Sequence, residues 1–167
     1  MGASPQSVRL TVDRRVGWIE YARPPVNAIN WQMLDAIHDA IAAMIGDPQA
    51  RVVVLASAVE SYFSAGADLK EFKDMRGEAM HRWVDKCHQI VRLLRHSPKP
   101  LLAAINGTAV GGGLEMTLHC DLRLAADNAR FGQPEIQIAF IPPVGTTQAL
   151  ARLLGRPKAI RYLYEGR

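Results

Sequence analysis

Two continuous apolar runs constrain this chain more than any other feature. "RVVVLASA" at 51–58 and "KPLLAAI" at 99–105 carry apolar residues without the alternation of a half-exposed strand. Such runs suit strands covered on both faces, as in parallel sheets. Between them, over about 78–95, Trp83, Cys87, Ile90, Val91 and Leu94 recur on one side of a helix. Strand, one-sided helix, strand is the pattern of a parallel crossover. "DLRLAA" at 121–126 reads as a further strand, reached through a short helix that starts in "VGGGLEMTLHC". The fold class is therefore α/β. With 167 residues and neither a linker nor a low-complexity stretch, one domain over 1–167 is expected.

The N-terminal part adds a hairpin and a helix. "VRLTVDRRVGWIEYA" at 8–22 has two β-rich runs around Asp13, Arg14 and Arg15. In "RPPVNAIN" at 23–30 the prolines forbid helix and the asparagines suit turns or a cap. From Trp31 to Ile45, Met33, Leu34, Ile37, Ile41, Met44 and Ile45 recur at spacings of three and four, and Gly46 and Pro48 end that helix.

Two glycine-containing turns and two acids carry the chemistry. In "SAGADLK" (64–70) and "VGGGLE" (110–115), small residues lie between a strand and a helix. A chain bare of side chains brings backbone N–H groups close to a ligand oxygen, and the first N–H groups of a helix are unpaired. Two such turns facing each other form an oxyanion hole; taken singly, each is also compatible with a plain tight turn. Neither fits a phosphate loop, because no Gly-Lys-Ser/Thr follows and GxGxxG spacing is absent. Glu115 and Glu135 sit among apolar neighbours, where burial raises a carboxyl's pKa toward the range useful for proton transfer. Ser64 lacks the GxSxG elbow of a nucleophilic serine.

Charge and cysteine content narrow the partners. The formal net charge is +4 and the isoelectric point about 9.3. Five basic residues, Arg152, Arg156, Lys158, Arg161 and Arg167, fall in the last 17 positions, where a solvated helix face is the expected reading rather than phosphate binding, and no nucleic-acid partner is expected. Cys87 and Cys120 have neither CxxC nor framework spacing, which suits buried thiols in a reducing, cytoplasmic setting. No stretch has the length and apolarity of a membrane span, and the first residues lack a signal pattern. The five histidines show no ligand spacing, so no metal is expected.

"FSAGADLKEF" (63–72), "INGTAVGGGLEMTLHCDLRLAADNARFGQPEI" (105–136) and "RPPVNAIN" together resemble the enoyl-CoA hydratase/isomerase (crotonase) family. The resemblance implies a right-handed spiral of ββα units, assembled as trimers or hexamers. It implies acyl-CoA thioester substrates, with CoA as part of the substrate and no separate cofactor. Carried over by motif, the oxyanion donors are the N–H groups of Ala67 and Gly112. Ala65, Ala67, Asp68, Leu69 and Lys70 match the segment that wraps the CoA. Glu115 matches the base toward the water that adds at Cβ, and Glu135 the donor of the proton at Cα. Keeping both acids favours hydration of a trans-2-enoyl-CoA; an isomerase, lyase or acyl-CoA hydrolase, or a non-catalytic acyl-CoA binder, is the alternative.

The sequence departs from the family pattern in two places. Where the family has Pro-Gly-x-Gly-Gly-Thr, this chain reads "PPVGTT", so Pro143 replaces a glycine whose N–H helps seat the water. Proline at the first position of a helix is comfortable, so the fold is expected to tolerate it. Thr146 replaces a second glycine and is expected to narrow or re-polarise the acyl pocket. The sequence ends at "YLYEGR", where the family continues into a C-terminal helical trimerisation region, expected to be absent or not represented.

Overall fold

The computed structural model describes residues 6–167. β1 (Val8–Asp13) and β2 (Val16–Tyr21) form the expected antiparallel hairpin, with Val8 opposite Tyr21 and Asp13 opposite Val16. Its turn is only Arg14-Arg15, both at positive φ (46° and 67°), the backbone that matches the twist of a two-residue hairpin. Asp13 belongs to the strand. From β2 onward the main sheet is parallel. β3 (Val52–Ser57), β5 (Leu101–Ile105) and β7 (Leu122–Ala125) extend it in the order β1-β2-β3-β5-β7.

Each later turn of the chain also lays down a second, shorter strand. β4 (Tyr62–Ser64), β6 (Thr108–Val110) and β8 (Phe131–Gly132) pair in parallel as a separate three-stranded sheet. Helical segments follow: α2 (Leu69–Phe72) and α3 (Gly77–Arg95) after β4, and α4 (Gly112–Thr117) after β6. After β8 come a single 3-10 turn at Pro134–Ile138, then α5 (Thr146–Leu154) and α6 (Arg156–Glu165). The result is a right-handed spiral of ββα repeats. Strands of two or three residues are too short to show a hydrophobic period, so this second sheet does not declare itself in the sequence.

α1 (Trp31–Gly46) supplies the largest buried face. Asn30 caps it, its Oδ1 accepting the Met33 N–H at 2.9 Å. Met33, Leu34, Ile37, Ile41 and Met44 are buried, as are Trp83, Cys87, Ile90 and Leu94 on α3, which packs against it. Each fully buried side chain of this size contributes about 1.5–3 kcal/mol.

The site-forming turns are tied to this frame through Asn27. It is fully buried at φ +50°, and its Nδ2 donates to Ser57 Oγ (2.8 Å) and to the Phe63 carbonyl (3.0 Å). Ser64 Oγ donates to the Asn27 carbonyl at 2.8 Å and accepts the Gly66 N–H at 3.1 Å. Segment 23–30 thus holds the "SAGAD" turn in place.

Candidate active site

Two glycine turns meet backbone to backbone. Gly66 adopts φ +77°, and a Cβ there would lie 2.9 Å from the Gly112 nitrogen and from the Val110 carbonyl oxygen. Gly113 packs against β4 so tightly that a Cβ would fall 2.5 Å from the Ser64 carbonyl oxygen. Only glycine permits these approaches. A parallel bridge fixes the first turn further: the Ile29 N–H donates to Gly66 O at 2.7 Å, and the Asp68 N–H to Ile29 O at 2.8 Å. The intervening Ala67 N–H has no acceptor among the described residues, and neither has the Gly112 N–H at the start of α4. Both belong to residues lining one cleft of about 210 Å³.

Glu115 and Glu135 line the same cleft. Glu115, one turn into α4, is fully buried. Its Oε1 accepts the N–H of Val144 at 3.0 Å and of Thr146 at 3.1 Å, while Oε2 has no partner among the described residues. Burial pushes this carboxyl up to about 7; the Thr146 and Val144 donors oppose the rise and the Glu135 charge adds to it. Glu135, on the 3-10 turn, is 8% exposed, and burial raises its carboxyl too. Its Oε2 likewise lacks a partner among the described residues. Gly111, at φ +53°, makes room for this acid, since a Cβ there would sit 2.8 Å from Glu135 Oε1.

Apart from Gln137, the rest of the cleft wall is apolar. Trp83, Phe72 and Phe140 line it and stack edge to face, with ring centroids 5.1 Å apart for Phe72–Trp83 and 5.3 Å for Phe72–Phe140. Leu34 and Met116 fill in behind, and burial pushes the neighbouring Cys87 thiol up to about 12, which leaves it a packing group. Ala65 and Leu69 also face the cleft. Asp68 and Lys70 do not. The Asp68 carboxylate pairs with Arg23 at 2.8 Å and caps α2 through the Lys70 N–H at 3.1 Å, and Lys70 is exposed. Cys120 is buried away from the cleft, as is the side chain of Ser64.

The "PPVGTT" segment differs from the sequence expectation in two respects. Pro143 is not at the first position of a helix: α5 begins at Thr146 behind Gly145 at φ +93°, and Pro143 stands before that cap on the cleft wall. The loop's next N–H groups that face inward, from Val144 and Thr146, both go to Glu115. Thr146 does not narrow the cleft, because it is fully buried behind Glu115 and off the lining. The sequence reading missed these donors, the aromatic wall and the room that Gly111 leaves. Only the third had a visible signal, the run of three glycines.

A spiral of ββα repeats thus brings two main-chain N–H groups without acceptors among the described residues beside two buried acids in one cleft. The chain belongs to the enoyl-CoA hydratase/isomerase family, whose sequence profile matches residues 11–167. It is 43% identical over 141 residues to an Arabidopsis thaliana protein named probable enoyl-CoA hydratase 2, mitochondrial, covering 84% of this chain and 47% of that one. It is 34% identical to the crotonyl-CoA hydratase of Syntrophomonas wolfei, covering 95% of this chain and 62% of the relative. The crystal structure of an enoyl-CoA hydratase from Bacillus anthracis superposes with a TM-score of 0.91 at 35% identity, over 97% of this chain and 64% of that one. The chain thus spans about half to two thirds of the length of these relatives. Among the described residues, no helix is long and apolar enough to cross a membrane.

Proposed function

We propose that this chain carries the catalytic core for hydrating a trans-2-enoyl-CoA thioester to the 3-hydroxyacyl-CoA. The observation that carries the reading is the meeting, in one cleft, of two buried carboxyls and the N–H groups of Ala67 and Gly112, with both Oε2 atoms and both N–H groups lacking partners among the described residues. The thioester carbonyl oxygen accepts from those two donors. Glu115 Oε2 takes a proton from water as the water oxygen bonds to Cβ. The π pair of the double bond shifts toward the carbonyl, and the negative charge that develops on the thioester oxygen is held by main-chain donors already in position. Glu135 gives its proton to Cα, so one water is consumed and nothing leaves.

Burial raises both carboxyls, Glu115 to about 7. The two N–H bonds on Glu115 Oε1 oppose that rise and favour the charged form a base needs. The proton at Cα is then left to Glu135. The aromatic wall offers an uncharged acyl tail an apolar surface. Incubation with crotonyl-CoA, followed by loss of the conjugated enoyl absorbance, tests the reading. Hydration is the expected result; binding of the thioester without any loss of that absorbance overturns it.

A further inference from the structure

His119 lies two residues beyond α4 and half-buried, outside the cleft lining. Its Nε2 hydrogen-bonds the Val144 carbonyl oxygen. A carbonyl only accepts, so His119 presents the Nε2–H tautomer here. Its ring also packs on Gly145, where a Cβ would meet Cε1 at 3.4 Å. Val144 and Gly145 are the centre of the loop whose flanking N–H groups, at Val144 and Thr146, converge on Glu115 Oε1. Alternate N–H groups around a left-handed residue form a concave anion cradle. Glycine at φ +93° makes rotation of the Val144–Gly145 peptide easy, and such a rotation would disturb the cradle.

We infer that His119 is a positioning residue: by holding the Val144 carbonyl outward it fixes the loop whose N–H groups hold the Glu115 carboxylate. α4 and the residues just after it then carry a donor (Gly112), an acid (Glu115) and the anchor for that acid's cradle (His119). The Pro142-Pro143 pair stiffens the loop's entrance, but only His119 among the described side chains bonds a carbonyl of its middle. The surrounding charges are Arg95 and His88 of α3 and Arg152 of α5, which share the surface hollow with His119, and Glu135, which faces Glu115 beside the Cys87 thiol.

The effect on turnover rests on the hydration reading; the effect on the Glu115 carboxyl does not. The test is an infrared titration of that carboxyl, assigned by its loss in Glu115→Gln, in the wild-type chain, His119→Ala and His119→Gln. A midpoint near 7 is expected in the wild type. In His119→Ala it moves up by about one pH unit as the donors loosen, and the glutamine, which keeps a donor at the Nε2 position, restores it. If the alanine chain does not fold, His119→Met supplies the bulk without the donor. On crotonyl-CoA, His119→Ala lowers kcat about tenfold with KM changed less than about threefold, and His119→Gln recovers most of the loss. An unmoved midpoint in the donor-less variant overturns the inference. A wild-type chain inert toward crotonyl-CoA overturns the hydration reading and leaves the titration comparison in force.

Discussion

Glu115 holds its two oxygens in different states: Oε1 accepts two main-chain N–H groups, and Oε2 has no partner among the described residues. Glu115→Gln and Glu135→Gln are each expected to lower turnover on an enoyl-CoA by about a hundredfold or more while thioester binding persists. Because a base acts in its ionised form, kcat/KM should rise with pH through about 7, and this limb should vanish in Glu115→Gln. The same shift has an opposite effect on stability. A carboxyl raised above its ordinary range keeps its proton longer when folded than when unfolded, so stability is greatest below the ordinary carboxylate pKa and declines as pH climbs to about 7. Thermal melts should therefore show Glu115→Gln gaining on the wild type between pH 4.5 and 8, by an amount on the order of 3 kcal/mol at most. A constant offset across that range would contradict the buried-acid account.

At the scale of elements, the contact of α4 with β4 decides whether the donors and the acid share a cleft. Gly113→Ala puts a methyl 2.5 Å from the Ser64 carbonyl oxygen and 2.7 Å from its Cβ, and neither can yield without moving β4. We expect a loss of about 3 kcal/mol in denaturant unfolding. Gly46→Ala is the control: a Cβ at this end of α1 meets nothing within 4 Å, so it should be neutral or gain about 0.5 kcal/mol. What the sequence revealed follows the same line. The long, one-sided α1 and α3 and the apolar β3 and β5 were legible because burial imposes a period or a run on many residues at once. β4, β6 and β8, with three, three and two residues, impose none. The two acids were legible as carboxyls in apolar company, but their N–H partners were not, because any residue save proline offers that group.

At the scale of the whole molecule, β7 is an edge of the main sheet with no further strand beside it among the described residues, and all four of its residues are exposed. Leu122 and Leu124 project from it at 62% and 64% exposure. An edge strand with apolar side chains and free main-chain groups invites another chain. Replacing both leucines with lysine should lower self-association in light scattering while leaving the melting temperature within about 2 °C, since exposed positions carry little of the fold's stability. A large drop in melting temperature instead would mean that these leucines serve the monomer's own core.

The crossing of Gly66 and Gly112 also determines what side-chain mutagenesis can detect. The proposed donors at 67 and 112 are peptide nitrogens, and one already belongs to an alanine. An alanine scan therefore reports the two glutamates and passes over the other half of the site, since Gly112→Ala keeps its N–H and its Cβ would meet nothing closer than 3.9 Å. Replacing single amides by esters through chemical ligation would expose that silent half.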